Sequence, residues 1–143
     1  MTSDKIRDEF LKGYDCSQVV LRSVATELGI TEDEANKMAA CFGGGMQMGE
    51  ICGAVIGAMI AIGLKYGHSD LENLAKEKEI MSKKSQEFRE KFLSQYDSVI
   101  CRKLLGYDLT KLEEAKEAID SGRMMDFCPK LVEESIKILK EVL

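Results

Sequence analysis

The sequence has a single proline, a single histidine and no hydrophobic run long enough to cross a bilayer. With one proline and no extended alternation of apolar and polar residues, a β-rich fold is excluded and helices are favoured. One histidine leaves little scope for a Cys–His pair or a histidine-rich metal site. The longest apolar stretch, residues 51–64, falls short of the roughly 20 residues of a transmembrane helix.

The sequence also has no excess of basic charge, since its 20 Lys and Arg residues are mixed with 25 Asp and Glu residues and the net charge is −5. A nucleic-acid partner is therefore not expected. The charged N-terminus has no apolar segment of the kind found in secretory signals. We expect a cytoplasmic protein in which residues 1–143 form a single domain that folds without disulfides, because this length suffices for a core.

Apolar residues recur at helical spacing along most of the chain and predict an all-α bundle of about six to seven helices. The bundle is expected to surround a central, apolar, glycine-rich helix. The final helix of the chain is predicted to have Cys128 as its N-cap and Pro129 as its first residue. The other predicted helices are 4–12, 16–28, 31–41, 51–66, 70–96, a short helix at Cys101, and 110–121.

The segment 42–67, FGGGMQMGEICGAVIGAMIAIGLKYG, is the most informative part of the chain. Small residues recur every fourth position at Gly49, Gly53, Gly57 and Ala61, which predicts one face that neighbouring backbones approach closely. The glycines that precede this helix, Gly43, Gly44 and Gly45, form either a sharp turn or, together with Gly53, a cradle for an anion or cofactor.

Three of the five cysteines, Cys16, Cys52 and Cys128, fall at predicted helix starts. Free N–H groups and the helix dipole stabilise a thiolate there, so these thiols are predicted to have lowered pKa values. Cys52 is the leading candidate for an attacking thiolate. The competing interpretation is that cysteine is a small hydrophobic residue that fills the core.

The wide cysteine spacings match neither a zinc finger nor a C-x-x-C redox motif. Converging helix ends would allow Cys16, Cys52, Cys101 and Cys128 to hold a metal ion or an iron–sulfur cluster, or to form exchangeable dithiol pairs without any cofactor. The sequence leaves open three hypotheses: thiol–disulfide exchange, as in a thiol–disulfide oxidoreductase; a metal-binding module; and a non-catalytic interaction domain.

The runs GEICGAVIGA, CRKLLGYDL, CPKLVEESIKIL and DCSQVVL resemble the C_GCAxxG_C_C family of redox-active proteins over nearly the whole chain. The resemblance carries the four family cysteines onto Cys16, Cys52, Cys101 and Cys128. Ile51 replaces the glycine of the family motif, and Cys41 lies outside the family set. Family members often lie beside transporter genes, so the resemblance implies a redox partner protein or a membrane transporter encoded nearby as partner. A homo-oligomer built on the glycine face and the long charged helix is a further expectation.

Overall fold

Eight α-helices provide the regular structure of the protein in the computed structural model, which describes all 143 residues. No strand is present, and the only β-type contact is an isolated antiparallel bridge between Ile51 and Ile100. The predicted all-α class is confirmed. The helices are α1 Ser3–Lys12, α2 Cys16–Ser23, α3 Glu32–Ala39, α4 Gly53–Tyr66, α5 Leu74–Leu93, α6 Cys101–Leu105, α7 Leu112–Asp120 and α8 Arg123–Val142.

Two helices are shorter than their apolar patterns predicted. The helix predicted over 16–28 ends at Ser23, and a separate 3-10 turn follows at Thr26–Leu28. The helix predicted over 70–96 begins only at Leu74, because Asp70 accepts hydrogen bonds from the Glu72 amide and from the Asn73 side chain. Such local side-chain bonds compete with helical hydrogen bonding and favour a turn.

The predicted start of the last helix is wrong, since α8 begins at Arg123 and contains Cys128 and Pro129 in its interior. Proline has no N–H, and its ring disfavours the preceding helical turn, so the carbonyl four residues earlier needs another partner. That carbonyl belongs to Met125, and it accepts a hydrogen bond of 3.0 Å from Nε of Arg7 on α1. A long-range side-chain contact therefore compensates for the proline.

The apolar helix α4 lies at the centre of the bundle, as predicted. It packs against α2, α5 and α8, and its buried side includes Ala54, Ala58 and Ala61. Phe88 and Phe92 of α5, together with apolar residues of α8, complete one continuous core. None of the helices combines the length and the apolar character needed to cross a lipid bilayer.

The small-residue face of α4 lets α2 approach closely. A methyl group added at Gly57 would lie 2.7 Å from the carbonyl oxygen of Ser17 and 3.1 Å from the Cβ atom of Val20. Ser17 is itself fully buried, and its hydroxyl donates to the Ala39 carbonyl at 2.8 Å. The close approach of α2 and α4 brings the starts of the two helices together, where Cys16 is the first residue of α2 and Cys52 is the N-cap of α4.

Candidate functional site

Four cysteines from distant parts of the chain line one cavity of about 290 Å³. Cys16 is the first residue of α2, Cys52 is the N-cap of α4 and Cys101 is the first residue of α6. Cys128 reaches the same cavity from the interior of α8. All four are free thiols, and Cys52 is the most buried, with 7% of its surface exposed.

A short antiparallel bridge fixes the backbone positions of Cys52 and Cys101. The Cys52 N–H donates to the Val99 carbonyl at 2.7 Å, and the Cys101 N–H donates to the Glu50 carbonyl at 2.6 Å. Because each of these donors belongs to a cysteine, the two residues cannot shift independently of one another. The bridge therefore keeps the start of α4 and the start of α6 at a fixed separation.

The absence of a side chain at Gly53 brings Cys16 against the start of α4. A methyl group at Gly53 would place its carbon 2.5 Å from the Cys16 sulfur and 2.8 Å from the Phe42 carbonyl oxygen. Glycine is thus needed immediately after Cys52 for the two cysteines to become neighbours. Gly53 therefore serves the proximity of the two thiols.

The glycine-rich loop makes a left-handed turn beside the cavity. Gly44, Gly45, Met46 and Gln47 all have φ between 57° and 65°. The left-handed region costs L-residues such as Met46 and Gln47 about 1–2 kcal/mol each, so packing must hold this turn in place. Gly44 lines the cavity and directs its N–H at Cys16.

At the other glycines of the predicted cradle, the space beside the backbone is occupied by atoms of the protein itself. The position of a side chain at Gly43 is occupied by Asp15, and at Gly45 a methyl carbon would lie 2.7 Å from the Cβ atom of Cys101. Gly53 is similarly blocked by Cys16. Of these four glycines, only Gly44 faces the cavity.

Cys16 and Cys52 form an asymmetric pair. A hydrogen bond from the Cys52 thiol lowers the pKa of Cys16, and backbone N–H donors from Gly44 and Ser17 add to the effect against the opposing influence of burial. The same pairing with Cys16, together with burial, raises the pKa of Cys52 well above its ordinary value. Cys16 receives two backbone N–H donors, whereas Cys52 receives only one, from Ala54. This difference favours the negative charge on Cys16.

The predicted lowering of the Cys52 pKa is therefore wrong, while the same prediction for Cys16 is confirmed. Both cysteines lie at helix starts, so the dipole alone does not distinguish them. The pairing of the two thiols and the backbone N–H donors around each sulfur decide the outcome. As whole residues, Cys16 is half-buried and Cys52 is buried.

Cys101 and Cys128, on the other side of the cavity, are held as neutral thiols. Burial raises the pKa of Cys101 to about 11, and nearby Cys16 and Asp108 charges add to it. Burial likewise raises the pKa of Cys128 to about 12. The lowered pKa predicted for Cys128 is wrong, because the residue lies inside a helix, where the backbone N–H groups are already used.

The remaining cavity wall is apolar, and most of it comes from residues that the sequence did not single out. Asp15 is the only charged residue among the lining side chains, and its pKa is raised by burial. Its position directly before Cys16 is a signal that sequence reading could have used. The apolar wall consists of Phe10, Tyr14, Leu104, Leu105, Leu109, Met124, Met125, Phe127, Leu131 and Val132.

The cysteines line one cavity without forming a compact ligand set. No group of three or more His, Cys, Asp or Glu side chains is arranged closely enough to hold a metal ion. Cys41 lies outside the cavity on the surface. The fifth cysteine is thus separated from the other four.

Comparison with known proteins assigns the chain to a family. A family profile described as "Putative redox-active protein (C_GCAxxG_C_C)" matches residues 14–142, a span that includes all four cavity cysteines. No curated protein and no solved structure matches the chain. The match covers nearly the whole sequence, and the chain therefore belongs to the C_GCAxxG_C_C family.

Proposed function

We propose that the protein is a dithiol redox protein in which Cys16 is the attacking thiolate and Cys52 is the resolving thiol. The observation that carries this proposal is the packing of the Cys16 sulfur against Gly53, the residue directly after Cys52, together with the lowered pKa that Cys16 owes to Cys52 and to the backbone N–H groups of Gly44 and Ser17. A thiolate on a half-buried residue that is stabilised in this way is a reactive nucleophile. Cys52 lies behind it, buried and protonated.

The exchange proceeds in two steps. The Cys16 thiolate attacks one sulfur of a disulfide substrate, forms a mixed disulfide and releases the first thiolate, which takes a proton from water. The Cys52 sulfur then attacks Cys16, and its proton goes to the second leaving thiolate. The protein dithiol is oxidised to a Cys16–Cys52 disulfide, and the substrate is reduced to two thiols.

Cys101 and Cys128 have a different place in this proposal. Their raised pKa values leave too little thiolate at neutral pH for the first attack. We assign them to the cavity wall. Since the cavity thiols do not form a close ligand set, the geometry favours exchange over metal binding. The proposal assumes a reducing cytoplasm, where all five cysteines stay free thiols.

Trapping of the mixed disulfide tests the proposal. In a Cys41→Ser background, Cys52→Ser should stop the reaction after the first step, and a small organic disulfide should remain attached to Cys16. Mass spectrometry of the intact protein and its peptides measures the adduct. The matched Cys16→Ser variant should give no adduct on Cys52. An adduct that persists in Cys16→Ser, or undiminished disulfide reduction by that variant, would overturn the assignment.

A further inference from the structure

The cavity next to the dithiol has the size and chemistry of a small binding site. Its volume of about 290 Å³ is close to the lower end of ligand pockets, which span roughly 300–1,000 Å³. Fourteen of its seventeen lining residues are hydrophobic, including the four cysteines. An exchange that needed only an exposed thiolate would not require a cavity behind it.

The charge of the cavity limits what can enter. No lysine, arginine or histidine lines it, and its one acidic residue is Asp15. A nearby cation, Arg123, lies outside the lining and is already engaged, since it stacks 4.1 Å from the centre of the Phe127 ring and donates to the Leu104 and Leu105 carbonyls. A carboxylate brought into the cavity would therefore lose water without gaining a free cationic partner, which is strongly unfavourable. Peptide-like thiols that carry carboxylates are therefore poor occupants.

We propose that the cavity selects the substrate of the dithiol as a small, uncharged organic disulfide whose apolar group enters between Phe127, Leu109 and Leu131. This inference rests on the proposed exchange at Cys16 and adds the substrate class to it. The apolar group fills the space lined by α8 and by the turn before α7, while the substrate sulfur faces Cys16. The reaction remains the reduction of one substrate disulfide to two thiols by the Cys16–Cys52 pair.

A pair of aromatic disulfides that differ in charge tests the inference. Dipyridyl disulfide is uncharged at neutral pH, whereas bis(carboxynitrophenyl) disulfide carries two carboxylates, and both release coloured thiols. The chain supplies its own control, because the exposed Cys41 reports the intrinsic reactivity of each reagent. The rates are measured on Cys41→Ser, in which Cys16 reacts, and on Cys16→Ser, in which Cys41 reacts.

For each cysteine, the rate with the uncharged reagent is divided by the rate with the dianionic reagent. This ratio should be at least about 100-fold larger at Cys16 than at Cys41, because burial of unpaired carboxylates is costly. Equal ratios at the two cysteines would overturn the substrate class and leave the exchange mechanism intact. Loss of all Cys16-dependent reaction, with either reagent, would instead overturn the proposed function itself.

A charge-switch variant makes the test independent of overall rate. Leu109 lies in the turn between α6 and α7, where a polar side chain is compatible with folding. Leu109→Lys should raise the rate with the dianionic reagent by about 10-fold, because the carboxylates gain a cation. The preference of Cys16 for the uncharged reagent should become smaller by the same factor. Leu109→Gln, which removes apolar surface without adding charge, should lower the rate with the uncharged reagent only. An unchanged preference in Leu109→Lys would contradict entry through the cavity.

Discussion

The two sides of the cavity each carry two cysteines, yet they hold them in opposite chemical states. On the side made by the starts of α2 and α4, backbone N–H groups and a neighbouring thiol stabilise a thiolate on Cys16. On the side made by α6 and α8, burial holds Cys101 and Cys128 protonated. The donors around a sulfur, and not its presence in the cysteine motif, therefore decide its reactivity.

Reactivity at neutral pH should separate the two sides most strongly. We expect Cys16 to be alkylated by iodoacetamide about 100-fold faster than Cys128, because only the thiolate reacts and burial keeps Cys128 protonated. Peptide mass spectrometry after timed alkylation measures both rates in one sample. Comparable rates at the two residues would remove the distinction between the sides.

The same measurement against pH identifies the donor. Cys52→Ala removes the hydrogen bond to Cys16, so the alkylation midpoint of Cys16 should move to higher pH. Cys52→Ser keeps a hydroxyl donor and should largely retain the low midpoint. If Cys52→Ser raises the alkylation midpoint of Cys16 as much as Cys52→Ala does, a hydroxyl cannot replace the thiol of Cys52 as the donor. The backbone N–H groups would then be insufficient to stabilise the Cys16 thiolate by themselves.

The close contact between α2 and α4 offers a sharper test of the reactive side. Gly53→Ala adds a carbon 2.5 Å from the Cys16 sulfur and should lower the free energy of unfolding by about 1–3 kcal/mol through overpacking. Gly63→Ala in the same helix meets no atom within 4 Å and should instead stabilise by about 0.5–1 kcal/mol. Urea denaturation measures both. A Gly53→Ala protein as stable as Gly63→Ala would show that the cysteines do not depend on this contact.

The protonated side should reveal itself in alkaline stability. The pKa of Cys128 rises from about 9 to about 12 on folding, so above pH ~9 the unfolded chain binds fewer protons than the folded one. The free energy of unfolding should then fall with rising pH between these values, by up to about 1.4 kcal/mol per pH unit for this thiol. Cys128→Ala should have a shallower decline than the parent protein. Thermal melts of both proteins across this pH range measure the decline. If the stability of Cys128→Ala fell with pH as steeply as that of the parent protein, a buried, protonated Cys128 would be contradicted.

The sequence predicted the fold class well, because apolar spacing and glycine stops are local signals. Helix α4 and the turn at Gly106 lie where these signals placed them. The start of α8 differs from the prediction because proline is typical of the first helical turn, whereas Pro129 lies in the helix interior. The apolar spacing from Met124 to Phe127 and Leu131 continues across Pro129 and could have corrected this, but the compensating Arg7 contact is visible only in three dimensions.

The site was only partly predictable for a related reason. The four cysteines were identified by motif, and the role of glycine beside Cys52 was anticipated as close packing. The order of the pKa values of Cys16 and Cys52 could not be predicted from the sequence, because it depends on which sulfur receives the Gly44 N–H. That amide is positioned by the left-handed turn through Met46 and Gln47, and neither residue type signals such a conformation.

The bridge between Ile51 and Ile100 has a consequence for the newly made chain. The hydrogen bonds of Cys52 and Cys101 close a loop of about fifty residues, whose entropy must be lost before the cavity exists. Cys128 joins the cavity only when the C-terminal helix docks. During synthesis the thiols are therefore ordinary ones, and the chain acquires its reactive sulfur only on completing its fold.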